Sequence, residues 1–336
     1  MSNYKLPKIN YIGNKEKLSN WVMDSLPINQ GRFLDLFAGG SSISFEAKNR
    51  GFEVITNDAL YSSFVVNKAL IENKSVKLSE KEILKFNSIT VDSERRASFS
   101  WLENNLFYTT EVDELVKLIV LSENMRGYKK YLLQALIRRA MIRKLPYSRM
   151  NIDWKNILKL RDENYSYEKY GRRRAYHNDS FINHILRDLP DYNAAIFDNN
   201  CKNKVYQLDA LDAIKKTGKV DIIYLDPPYP STMNNYDGFY GKFDKIFGKK
   251  IEYTDITHEK DFLYYFDQLI DLASQYSDYL VVSLNTSGKI IFENLVDKFS
   301  FYGLVEIKEK KHNYQISGKE SKNKNKELLA IVKFYK

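Results

Sequence analysis

The chain has 336 residues and a formal charge of +9, a length suited to one large domain or to a core carrying an insertion. With 43% hydrophobic and 28% charged residues it has the makings of a real core, which excludes disorder as its main state. Apolar runs stop well short of the roughly 20 residues of a membrane span, and MSNYKLPKINYIGNK lacks the apolar stretch of a secretory signal, so a cytoplasmic location is expected.

Cys201 is the sole cysteine, which excludes an internal disulfide or a thiolate metal cluster. His177, His184, His258 and His312 are scattered, form no zinc pattern, and no metal is expected. His258 and Cys201 read as structural or surface residues.

Taken in chain order, YIGNKEKL reads as a turn leading into a helix over 16–25. RFLDLFA (32–38) is a short apolar strand ending in Gly39-Gly40-Ser41-Ser42; ISFEAKNRG follows as a helix stopped by Gly51. FEVIT (52–56) is the next strand and runs into Asn57-Asp58. Strand, glycine turn, helix, strand and acid in that order form the opening of a nucleotide-binding βαβ unit.

From about 62 to 200 the pattern turns to helices and loops. Leu132, Leu133, Leu136, Ile137, Ala140 and Met141 recur at helical spacing, and Pro146 should end that helix near Lys144. Arg138, Arg139, Arg143 and Lys144 then fall outside the apolar stripe. Between Arg126 and Arg174 there are 15 Lys and Arg against 4 Asp and Glu, a net of +11 that exceeds the charge of the whole chain. Six tyrosines interleave with it, and it closes on Arg172, Arg173 and Arg174. A solvated basic face is one reading; the concentration of charge favours the other, contact with phosphates through these seven basic side chains. A second basic stretch, 308–326, reads as a polar loop.

Strand patterns resume at 205–210, 220–229, 279–285, 301–310 and 327–335, with an amphipathic helix over 258–276. The last two strands are joined by a polar loop too short for a crossover helix, so they should pair antiparallel. A mostly parallel sheet closing in an antiparallel hairpin is the methyltransferase variant of the doubly wound α/β fold. The predicted boundaries are a discontinuous catalytic domain over 1–61 and 201–336, and a mostly helical insert over 62–200.

Two motifs carry chemistry. DLFAGG followed by Asp58 suits a ribose-containing cofactor, with glycines admitting the ligand to the backbone and a carboxylate accepting from ribose hydroxyls. Asp226-Pro227-Pro228-Tyr229 ends an apolar strand, where α/β proteins bind ligands. An exocyclic amine on a base is a poor nucleophile because its lone pair is delocalised into the ring. Acceptors that hold both N–H groups favour a pyramidal nitrogen: the Asp226 carboxylate supplies one, and the Pro227 carbonyl, on backbone stiffened by proline, can supply another. Tyr229 can stack on a flipped-out base.

In these features the chain resembles the class-alpha, Dam-like N6-adenine DNA methyltransferases. Tyr11-Ile12-Gly13-Asn14-Lys15, Asp35-Leu36-Phe37-Ala38-Gly39-Gly40 and Asp226-Pro227-Pro228-Tyr229 occur in that family's order, and Glu327-Leu328-Leu329 fits its terminal strand. The resemblance covers about 1–60 and 205–336; the basic insert matches in position and character. It implies a Rossmann-like, S-adenosylmethionine-dependent sheet with an inserted DNA-recognition domain. It implies methyl transfer to a flipped-out adenine in double-stranded DNA, with a cognate restriction endonuclease as a candidate partner. Tyr11, Lys15, Asp35, Phe37, Gly39, Asp58, Asp209 and Asp226 are implied at the cofactor, with Asp209 near its adenine ring; Asp226, Pro227 and Tyr229 are the implied catalytic motif. The family's glycine motif commonly ends in glycine where this chain has Ser41, and KLPYSRMN ties to no target sequence. Rival readings are methylation of cytosine N4 or of adenine in RNA, an inactive DNA-binding regulator, and a nicotinamide-dependent oxidoreductase. An Asp rather than Ser at the first motif position argues against the cytosine enzyme. The intact motif argues against the regulator, and DPPY together with the basic insert argues against the oxidoreductase.

Overall fold

The computed structural model describes residues 4–171, 174–230, 235–257, 259–285, 292–311 and 326–336. Among the described residues seven strands form one sheet: β1 (Arg32–Asp35), β2 (Glu53–Asn57), β3 (Lys204–Tyr206), β4 (Val220–Leu225), β5 (Ser277–Asn285), β6 (Gly303–Lys311) and β7 (Lys326–Phe334). Their spatial order is β3-β2-β1-β4-β5-β7-β6. The first five run parallel, and β7 lies antiparallel between β5 and β6. The expected antiparallel close of a parallel sheet is therefore present, and β7 reaches it by inserting beside β5.

Each strand forms for a local reason. In β4, VDIIYL, every residue but Asp221 is buried, the continuous apolar run of a strand covered on both faces. Asp221 accepts from the Arg32 backbone N–H at 2.6 Å and pins the entry of β1. The motif-bearing runs are longer in the sequence reading than in the structure. β1 stops at Asp35 and β4 at Leu225, so the glycine motif and Asp226-Pro227-Pro228-Tyr229 both lie in loops past the strand ends. That places both at the carboxyl edge of the sheet.

One sheet face packs against the helix Glu259–Tyr276 through Phe262, Phe266, Leu269, Ile270 and Ala273. The other face is continuous with the helices of the 62–200 region: Phe33, Val54, Ile222 and Tyr224 share a core with Val65, Leu70, Leu132, Leu136, Ile185 and Tyr192. The helix Tyr128–Lys144 runs through the middle of this second layer and packs on the helices Tyr61–Asn67, Thr109–Asn124 and Phe181–Ala194. It ends at Lys144, as Pro146 predicts.

The expected basic face on that helix is absent. Arg138 and Lys144 are fully buried, Arg139 is 2% exposed, and Arg143 is half-buried. The apolar stripe marks only the first layer of packing. Neighbouring helices cover the remaining faces too, so these cations are closed by protein groups. Arg139 Nε lies 3.0 Å from Asp188, and Lys144 Nζ lies 2.8 Å from Glu111 and also donates to the Asp179 carbonyl. Arg161, 4% exposed, adds a two-pronged contact to Glu111 at 2.9 and 2.6 Å. Phosphate contact by Arg138, Arg139 and Lys144 is thereby corrected, because a side chain without exposed surface cannot meet a phosphate. Arg143 and Arg174 retain partial exposure, each stacked on a tyrosine, Tyr176 and Tyr170 respectively. Arg172 and Arg173 lie outside the described residues, as do His258, His312 and most of the loop after β6. His177 and His184 are buried and structural, and burial pushes both down to about 4. Cys201 is partly buried.

Candidate active site

The loops past β1, β2 and β4 surround a cavity of about 670 Å³. Tyr11, Lys15, Asp35, Phe37, Gly39, Asp58, Asp209 and Asp226 all line it. These eight residues come from five separate stretches of chain, and the fold brings all of them to one place.

The glycine turn is built around Tyr11. A Cβ on Gly39 would come within 2.8 Å of the Tyr11 ring, and one on Gly40 within 2.9 Å of Tyr11 Cβ. Gly39 also has φ +47, a conformation that glycine adopts most readily. Ser41, where the family's pattern has glycine, takes φ +66 and donates its hydroxyl to Asn67 Oδ1 at 2.9 Å. That bond helps offset the cost of a left-handed non-glycine residue and keeps the turn. Tyr11 stacks on Tyr240 and Tyr236 with centroids 4.8 and 5.7 Å away, and Tyr240 accepts from the Ile12 N–H at 2.8 Å. Above Tyr240 and Tyr11 lies the Arg138 guanidinium, 4.9 and 5.7 Å from the ring centres, with Nη1 donating to the Ile9 carbonyl at 3.1 Å. Arg138 thus ties the helical layer to the N-terminal motif, a role that its place in a basic run conceals.

Among the six aspartates that line the cavity, four are those expected from the sequence. Asp58 accepts from the Gly39 N–H at 2.8 Å and the Leu60 N–H at 2.9 Å, which fixes the glycine turn against the end of β2. Burial nevertheless pushes it up to about 6. Asp35 accepts from the Ser44 hydroxyl at 2.5 Å through one oxygen, while its other oxygen is buried without a hydrogen-bond partner; burial raises it to about 7. Asp209 caps the helix Ala210–Thr217 by accepting from the Leu211 N–H at 3.0 Å, and its second oxygen accepts from Thr254 N–H at 3.0 Å. Asp226 lies 3.4 Å from Lys15 Nζ, and burial, outweighing that lysine, raises it to about 6.

The motif's aromatic residue is held by contacts outside this cavity's lining. Among the described residues, the wall is formed by Pro228 and Pro230 rather than Pro227 or Tyr229. The Tyr229 ring packs on Phe262 at 5.4 Å and its hydroxyl donates to the Ser283 carbonyl at 2.6 Å, which anchors the loop to β5. Aromatic surface in the cavity comes from Tyr11, Phe37, Tyr224, Tyr236, Tyr253 and Tyr265. The sequence reading missed Tyr236, Tyr253 and Glu327, the buried partner of Lys15. The tyrosines carry no pattern of their own; the Glu at the head of an apolar strand is the signal that could have exposed Glu327.

Chemically, the cavity offers several carboxylates to hydroxyl and amine donors, aromatic faces to flat rings, and one lysine. Among the described residues no group of three or more His, Cys, Asp and Glu could hold a metal ion, and no helix is long and apolar enough to cross a membrane.

Known sequences agree with this geometry. The profile of a family described as D12 class N6 adenine-specific DNA methyltransferase matches residues 11–316. The Type II methyltransferase M2.HphI of Haemophilus parahaemolyticus is 40% identical over 99% of both chains. Modification methylase StsI of Streptococcus sanguinis is 28% identical over 97% of this chain and 51% of its own length. The Type II methyltransferase M.NlaIII of Neisseria lactamica is 25% identical over 89% of this chain and 90% of its own. A profile that spans both strand-end motifs, and a relative similar from end to end, set the reading: this chain belongs to the D12 class of N6 adenine-specific DNA methyltransferases.

Proposed function

We propose that the chain takes its methyl group from S-adenosylmethionine and delivers it to the N6 amine of an adenine extruded from double-stranded DNA, as the modification half of a restriction–modification system. The observation that carries this is the convergence of Lys15, Asp35, Asp58, Asp209 and Asp226 on one cavity at the carboxyl edge of the sheet. The residues present fit that cofactor. The unpartnered Asp35 oxygen and the Asp58 carboxylate suit amine and hydroxyl donors, and the glycines let the Tyr11 ring pack directly against the turn. When bound, S-adenosylmethionine supplies a methyl activated by a sulfonium. The chain's own part is to hold and orient. Asp58 and Asp35 accept from the cofactor's polar groups, Phe37 and Tyr11 bound its rings, and Asp226 accepts from the incoming amine so that its lone pair is aimed.

The basic surface still available to DNA is the rim of the 126–174 stretch. Lys159 and Lys169 are exposed and flank Tyr165, Arg174 covers Tyr170, and Arg149 lies between Tyr147 and Phe239. Arg143, Arg172, Arg173 and Arg174 remain candidates for phosphate contact, within an inserted recognition region over 62–200. The relatives named Type II methyltransferases and a modification methylase support a cognate endonuclease as the partner system.

Asp226→Ala tests the reading. It should lower turnover by roughly 10²-fold or more, in tritiated methyl incorporation into duplex DNA, while calorimetry still detects the cofactor. A variant keeping more than about a tenth of wild-type turnover would remove Asp226 from the chemistry.

A further inference from the structure

Behind Lys15 lies a carboxylate that the reaction as outlined does not use. Glu327 stands near the head of β7, opposite Asn285 of β5 and Lys310 of β6, and is fully buried. Its Oε1 accepts from Lys15 Nζ and from the Ser283 hydroxyl, the latter at 2.5 Å. The same Lys15 Nζ is 3.4 Å from Asp226. The Ser283 carbonyl in turn receives the Tyr229 hydroxyl. One residue of the last strand therefore holds the lysine that faces Asp226 and the serine that anchors Tyr229.

A buried charge at this position is costly, and an apolar side chain of similar volume would continue the ELLAIV strand without that cost. The charge count gives it a use. Lys15 and Asp226 alone would make a neutral pair, and an ammonium drawn fully onto Asp226 would occupy the lone pairs that must accept the amine N–H. Glu327 pulls the lysine back and leaves the group of three with one net negative charge. A cationic methyl donor, and an amine that gains positive charge as the new N–C bond forms, both favour a negative surround.

We propose that Glu327 is a positioning residue for methyl transfer, acting through Lys15 to keep Asp226 open as an acceptor and the site net negative. This rests on the function proposed above. The groups facing Asp226 are Lys15 from the N-terminal segment, Glu327 from β7, Asp35 at the end of β1, Tyr224 of β4 and Tyr236 of the helix Tyr236–Phe247. Among them Lys15 favours the ionised form of Asp226 and Glu327 opposes it.

The test is Glu327→Gln, which keeps an acceptor oxygen for Lys15 and Ser283 and removes the charge. Turnover should fall by about tenfold or more, and the acid limb of the pH–rate profile should move to lower pH as Lys15 closes on Asp226. Calorimetry supplies a readout apart from activity: affinity for S-adenosylmethionine should drop more than affinity for S-adenosylhomocysteine, which is neutral at sulfur. An unmoved acid limb together with equal losses for the two ligands would overturn the proposal and leave Glu327 a structural residue. If the glutamine variant does not fold, Glu327→Asp keeps the charge with a shorter reach. Reduced turnover with the ligand preference intact supports the proposal, and unchanged turnover overturns it. Failure of the wild-type protein to bind either ligand would instead refute the cofactor reading itself.

Discussion

Two regions of this molecule gather charge and use it in opposite ways. At the carboxyl edge of the sheet, Asp35, Asp58 and Asp226 line an open cavity and are raised by burial. In the layer built on Tyr128–Lys144, the cations are buried against protein groups, Arg139 beside Asp188, Lys144 and Arg161 beside Glu111, and Arg138 beside the Ile9 carbonyl and two tyrosine rings, though Arg138 Nε and Nη2 make no hydrogen bond. The first arrangement prepares a site for a ligand, while the second cements helices together. Charge in a sequence therefore says little about exposure until its partners are known.

The largest effect expected from the closed region is on stability. Glu111→Ala would leave Lys144 and Arg161 buried without their shared carboxylate, and should cost about 3–5 kcal/mol. Chemical denaturation would show it. If the variant instead kept its stability and lost DNA affinity, the helical layer would be an interface after all, and the contrast drawn above would break.

At the open region the carboxylates should set opposite pH trends for activity and stability. Asp58 and Asp226 lie at about 6, so turnover should fall as pH drops through 6 and protonation removes the acceptors. Asp35, 2% exposed, lies at about 7, above its unfolded value near 4. A raised folded pKa means that the native state binds the proton more tightly. Its stabilising contribution is present below the unfolded value and is lost as pH rises through 7. Asp35→Asn should therefore gain stability at pH 8, and gain less at pH 5, while weakening cofactor binding. Thermal melts at pH 5 and pH 8, paired with calorimetry, check both halves; a loss of stability at pH 8 would contradict this account of the site.

The contrast also shows what the sequence makes legible. The sheet, its antiparallel close, the glycine turn and the acids Asp58 and Asp226 follow from local patterns: an apolar run, a turn, and a carboxylate one residue past a strand end; Tyr11, Lys15 and Asp209 are placed only by the family resemblance. Strand ends are where the fold itself opens a crevice, so a motif there carries its position with it. Arg138 has no such address. Its burial depends on Tyr11 and Ile9, more than a hundred positions away, and on helices that cover the faces its own periodicity leaves polar. The contacts of Tyr229 are equally hidden in the sequence: Phe262 and Ser283, which hold its ring and hydroxyl, are distant along the chain. Glu327 was visible only as part of a strand, because its partner Lys15 lies at the other end of the chain.

The smallest effect is expected where basic groups remain exposed. Lys159→Ala and Lys169→Ala, tested singly, should each flatten the log–log salt dependence of duplex binding by about 1 if the side chain meets a phosphate. Arg139→Leu should leave that slope unchanged while lowering the melting temperature. A flattened slope for Arg139→Leu, or unchanged slopes for both lysines, would move the DNA to another face.

The central claim is that the open carboxylate cluster is the centre of adenine N6 methylation. Single-molecule sequencing of DNA from a host expressing the chain, beside one expressing Asp226→Ala, tests it most directly. The account predicts N6-methyladenine at one position of a fixed motif with the wild-type chain and none with the variant. Methylation that persists in Asp226→Ala, or a wild-type mark on cytosine, would contradict it.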